Sequence, residues 1–230
     1  MKKTSFFIAV IVIFVSILAI YGIVTVMMDN TGKINQGTYS INDVMSKSTI
    51  VYNEKEIKNE GKNGLSDISF DLTQDNLLSV LVAKNVNAKR IYINNVNIST
   101  PKYHGNMYIS QNNTEEKISN DSAEKELNIY PDELDGEYFF ELKIVNENII
   151  QNASLPSDLK VATFDGTLLR DLSVSEQDVT FKVKFDLNII DESGKLNTCN
   201  FNLDFPKNGL VDNGISITRE DFANFVFTVK

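Results

Sequence analysis

The chain holds one cysteine and one histidine, Cys199 and His104, and any nucleophilic chemistry has to start from this pair. A thiolate at Cys199 could attack a carbonyl, His104 could protonate a leaving amine, and Arg219, the only arginine after the cysteine, could steady an oxyanion. The local pattern offers a plainer role. Cys199 shares parity with Phe201, Leu203 and Phe205, alternating with Thr198, Asn200, Asn202 and Asp204, which places the thiol on the inner face of a strand as a small apolar core residue. His104 lies in the turn-rich stretch Thr100-Pro101-Lys102-Tyr103-His104-Gly105-Asn106, where a lone imidazole is solvated unless the fold carries it to Cys199.

Leu196-Asn197-Thr198-Cys199 resembles the end of the sortase signature T-L-x-T-C, with Leu196, Thr198 and Cys199 matching. The resemblance implies a cysteine transpeptidase on a β-barrel behind an N-terminal anchor, with Cys199, His104 and Arg219 as its working residues. Lys195 stands where the first threonine of that signature belongs. Arg219 lies further from the cysteine than in the family, and Tyr103-His104-Gly105 reverses the expected Gly-His order.

Two acidic stretches, Asp132-Glu133-Leu134-Asp135-Gly136-Glu137 and Asp191-Glu192-Ser193-Gly194, could offer oxygens to calcium. Neither reproduces the D-x-[DN]-x-[DN]-G loop, and Asp, Ser and Gly are the residues that hairpin turns use, so both are expected to be turns. The N-x-[ST] matches at Asn97, Asn112, Asn120 and Asn152 are expected by chance in a chain this rich in Asn, Ser and Thr. There is no P-loop, G-x-S-x-G, H-E-x-x-H or C-x-x-C, and no catalytic, cofactor-binding or metal site is expected.

The elements that would position these residues begin with a membrane segment. Residues 5–27 carry no charge, and at ~1.5 Å per residue a helix of that length covers the ~30 Å hydrocarbon core. Its apolarity runs right around the helix, so it is read as a transmembrane anchor. A cleaved signal peptide is the competing reading, but it would have a shorter apolar region and a small-residue cleavage site. Lys2 and Lys3 precede the run and Asp29 follows it, which puts residues 1–4 in the cytoplasm and the rest outside. Residues 28–47, polar and Gly-containing, are read as a stalk.

From Ser48 the period is two. Strands are expected at 49–52, 68–72, 77–83, 90–98, 126–130, 137–145 and 225–229, with a turn at Asn85-Val86-Asn87-Ala88. The clearest pair is 179–189 with 198–205, joined antiparallel by a loop at 191–195. Thr218-Arg219-Glu220-Asp221 has the form of a capping box opening one helical turn. The polar run 111–125 is either an exposed loop or a boundary between two domains.

The expected fold is all-β, an extracellular antiparallel β-sandwich, immunoglobulin-like or larger, over residues 48–230 behind one N-terminal transmembrane helix. With 31 acidic against 22 basic residues and a net charge of −9, the chain repels nucleic acid. A single cysteine excludes an internal disulfide framework, and the Asn, Lys and Ile content has the look of an AT-rich bacterial genome. These features lead to a membrane-anchored, non-enzymatic surface protein for binding, adhesion or envelope assembly. Its expected contacts are the membrane, through residues 5–27, and another surface or envelope protein. A divergent sortase-like transpeptidase and a pilin-like filament subunit are the alternatives.

Overall fold

The computed structural model describes residues 38–54, 69–111, 116–129, 136–154 and 167–230. The segments read as cytoplasmic N-terminus (1–4), membrane anchor (5–27) and the first half of the stalk (28–47) lie outside the described residues, as does most of the acidic stretch beginning at Asp132. Among the described residues no helix is long and apolar enough to cross a membrane.

Residues 37–230 form one compact unit. In chain order its described strands are β1 (Tyr39–Glu54), β2 (Ser69–Lys84), β3 (Ala88–Ile98), β4 (Asn106–Gln111), β5 (Lys125–Glu126), β6 (Glu137–Ser154), β7 (Phe181–Asp191), β8 (Leu196–Phe205), β9 (Ile215–Arg219) and β10 (Thr228–Val229). They pair antiparallel in two five-stranded sheets, ordered β4-β6-β2-β1-β9 and β10-β8-β7-β3-β5. This is an all-β sandwich.

The core between the sheets follows from alternation. Phe181, Val183, Phe185 and Leu187 of β7 pair with Phe205, Leu203, Phe201 and Cys199 of β8, and all eight are buried. They meet Val44, Leu78, Val80, Phe140, Leu142 and Ile144 of the other sheet in one cluster. Each large side chain sealed there contributes roughly 1.5–3 kcal/mol of transfer free energy. A second cluster joins Ile50, Phe70, Leu72 and Ile149 to Leu169, Val174, Val179, Leu210 and Val211, which lie on or beside three short helices, Thr167–Asp171, Glu176–Val179 and Leu210–Asn213. Glu176 ties two of these helices together, its carboxylate accepting from the Leu210 and Val211 amides, both at 3.0 Å. Those amides have no partner inside their own helix.

The strand β1 begins at Tyr39, so the expected stalk, 28–47, runs too far: residues 39–47 belong to the sheet. Tyr39, Ile41 and Val44 all reach the core, but a bulge between Ile41 and Asp43 breaks the period, and the inward Ser46 and Ser48 are polar. The run 111–125 is no domain boundary. Ile109 and Ile118 exchange backbone hydrogen bonds of 2.7 Å, and Val96 and Asp121 exchange bonds of 2.7 and 3.1 Å, which stitches this segment to a strand of each sheet. The Asn85–Asn87 turn carries the chain from one sheet to the other rather than closing a hairpin.

Candidate functional site

Cys199 lies in the middle of β8, fully buried, opposite Leu187. Desolvation holds its thiol up at about 12, so thiolate is scarce at neutral pH. Arg219 is at the end of β9 in the other sheet. Its guanidinium is committed to Asp43, with Nε donating to Oδ1 at 2.7 Å and Nη2 to Oδ2 at 3.0 Å. His104 is exposed, in a segment held by Asn146. That side chain accepts from the Gly105 amide at 3.0 Å and donates to the Tyr103 carbonyl at 3.2 Å. Of the three residues that would make a transpeptidase, one is sealed in the interior, one is spent on an ion pair and one faces solvent.

The acidic turn at Asp191 is occupied by its own chain. Asp191 Oδ1 accepts from the Ser193 hydroxyl at 2.6 Å and the Lys195 amide at 2.9 Å, and the Ser193 bond leads in lowering its pKa. Among the described residues no group of three or more His, Cys, Asp or Glu is placed to hold a metal. Asn120 is likewise engaged, its side chain accepting from the Ile98 amide at 2.6 Å and donating to the Ile98 carbonyl at 3.3 Å.

What the fold does display is a seam at one side of the sandwich, where the chain leaves β9, turns through the 3-10 segment Phe222–Asn224 and enters β10. β9 ends one sheet and β10 ends the other. Of the seven exposed large apolar residues among those described, five lie here: Ile215, Ile217, Phe222, Val226 and Val229, with Ile217 and Val226 at 56% and 67% exposure. Single exposed apolar residues are ordinary, but a concentration on one strip is the usual mark of a contact surface.

The strip is not loose chain. Arg219 is bound to Asp43, and the buried Glu220 carboxylate pairs with Lys207. Asp221 caps the turn by accepting from the Ala223 amide at 3.0 Å, so the cap is Asp221 and not the expected box starting at Thr218. Phe225 points inward and stacks on Phe201, which stacks on Phe185, each pair at 4.7 Å between ring centroids. The Lys230 amide donates to the Leu196 carbonyl at 2.8 Å. Phe225 and Phe227, both packed against the core, flank Val226 and leave it facing outward. The seam left no chemical motif to find, since Ile215 and Ile217 alternate with Ser216 and Thr218 as in any half-buried strand.

No known protein family, curated protein or solved structure matches this chain.

Proposed function

We propose that this chain is a non-enzymatic, membrane-anchored binding protein of a bacterial cell surface. Residues 5–27 hold it in the membrane with the N-terminus cytoplasmic. The sandwich, larger than an immunoglobulin domain, stands outside and engages another surface or envelope protein through the β9–β10 seam. The observation that carries this reading is the concentration of exposed apolar side chains on a strip whose backbone is pinned on both sides. The state of Cys199 supports it too, because a thiol enclosed by Phe and Leu side chains is packing material rather than a nucleophile.

A photo-crosslinking residue placed at Phe222 or Val226 of the full chain in living cells, with one at the exposed Asn95 of β3, away from the seam, as control, tests the contact surface. Adducts to a protein from the seam positions alone are expected. Equal labelling from Asn95, or none from the seam, would overturn the reading. Topology has its own test: protease added to intact cells, or to protoplasts where a wall shields the surface, should digest the chain beyond residue 28, whereas digestion only after lysis would refute the orientation.

A further inference from the structure

The two ends of each sheet are protected differently. At β4 the outward backbone is taken by Ile118, through the paired 2.7 Å bonds to Ile109. The strand β5 is two residues long and both are charged, Lys125 and Glu126, while β10 is also only two residues long. β9 has five residues, no proline and no bulge, and among the described residues its only neighbour is β1. Its single charge, Arg219, is already neutralised by Asp43. Among the described residues, none of the usual devices that keep sheet edges apart protects it.

The hydrogen-bond phase of β9 is set by one contact. The Glu220 amide donates to the Val44 carbonyl at 2.8 Å, in register with the pairing Met45–Arg219, Ser46–Thr218, Lys47–Ile217 and Ser48–Ser216. In an antiparallel ladder the residues that bond toward a given neighbour alternate. Thr218 and Ser216 therefore turn their backbone groups toward β1, and Ile215, Ile217 and Arg219 turn theirs to the open side.

We propose that β9 is a self-pairing edge, with two copies of this chain joining antiparallel about Ile217 so that their sheets run on as one. The proposal rests on the binding reading above and names the partner of that seam as a second copy. It follows from the self-complementarity of the strand. A two-fold axis through Ile217 places Ile217 opposite Ile217 of the second copy and Ile215 opposite its Arg219. Both are bonded pairs, since these are the residues whose backbone faces out. Ser216 meets Thr218 on the inner face, a favourable cross-strand pair, and no two charges face each other. On the outer face the Ile215 and Ile217 side chains of both copies form one apolar cluster, which removes the 38% and 56% exposure these residues show in the single chain. A five-residue strand pair buries far less than the ~800 Å² per partner of a standard interface, so the pairing depends on copies being concentrated in one membrane.

Ile217→Cys in the full chain, in its native membrane under mild oxidation, tests this directly. A bonded antiparallel pair brings Cα atoms to about 5.5 Å, within disulfide range, and the native Cys199 is buried and does not compete. Val226→Cys, more exposed but off the strand, is the collision control. A disulfide-linked dimer at position 217, at least roughly tenfold above that at 226, is the expected result. Equal dimer at both positions, or none at 217, would overturn self-pairing. If position 217 yields no dimer while the seam still crosslinks another protein from Phe222, only the identity of the partner fails. If neither forms, the binding reading fails with it.

Discussion

Arg219 closes a two-point ion pair on Asp43 across neighbouring strands, at 2.7 and 3.0 Å, with the carboxylate almost fully buried and the guanidinium about half exposed. Bidentate geometry gives such a pair more weight than an ordinary surface contact, though the exposed side remains screened. Arg219→Ala leaves a buried carboxylate without its partner and should cost about 1–2 kcal/mol in urea unfolding of the chain in mild detergent. The double variant Arg219→Ala/Asp43→Ala should recover part of that loss. A residue kept for oxyanion stabilisation would instead be removed with little effect on stability.

Gly105 sits where the segment carrying His104 crosses β6, and a Cβ built there would lie 1.7 Å from the Glu147 carbonyl oxygen. The obstacle is backbone, so it cannot swing aside as a side chain would. Gly105→Ala should destabilise the domain by about 2 kcal/mol or more, through displacement of the loop and loss of the Asn146 bonds to Tyr103 and Gly105. His104→Ala should be neutral within about 0.5 kcal/mol, since that side chain is exposed. Thermal melts of the two variants check both values.

Asp178 shows how charge holds the helix Glu176–Val179 in place. Its carboxyl is held down at about 2, first by the Ser175 backbone amide, then by Lys102 and the Ser175 hydroxyl. A depressed carboxyl stabilises the fold above its unfolded value of ~3.9, and that contribution is lost as pH falls from there toward 2. Asp178→Asn should therefore lower stability at neutral pH and flatten the acid limb between pH ~4 and ~2. Unfolding midpoints measured across that window would show an unchanged slope if the contact contributes nothing.

The hairpin β7–β8 was legible because Phe181, Val183, Phe185 and Leu187 alternate without interruption, and its loop at Asp191–Lys195 has the residues such turns require. The end of β1 at 49–52 was legible, but its first part, residues 39–48, was not. Its bulge shifts the parity after Ile41, and Ser46 and Ser48 face inward where the period calls for apolar residues. The buried Gln74, Asn76 and Asn146 hide the same face in β2 and β6: Asn76 accepts from Gln74 at 3.1 Å and donates to the Ile144 carbonyl at 2.9 Å, and Asn146 holds the Tyr103–Gly105 backbone. The strand β4 follows a turn-rich stretch and is too short for its alternation to stand out. The inner position of Cys199 could be read from parity alone. The seam could not, since exposure of Ile217 and Val226 depends on where the sheets end, which is decided by long-range pairing.

Cys199→Ala should cost about 1 kcal/mol or somewhat more, as for other small deletions in a packed core, and should leave contacts at the seam unchanged. Denaturant midpoints compared with crosslinking yields at Phe222 would show whether the two properties separate.

That the chain works by contact rather than by covalent chemistry is tested most directly by the reactivity of Cys199 itself. With its thiol raised to about 12 and fully enclosed, the native chain should resist an alkylating reagent at pH 7 and label completely only after denaturation. Rapid alkylation of the folded chain, with loss of function and no loss of stability, would contradict this and make Cys199 a nucleophile.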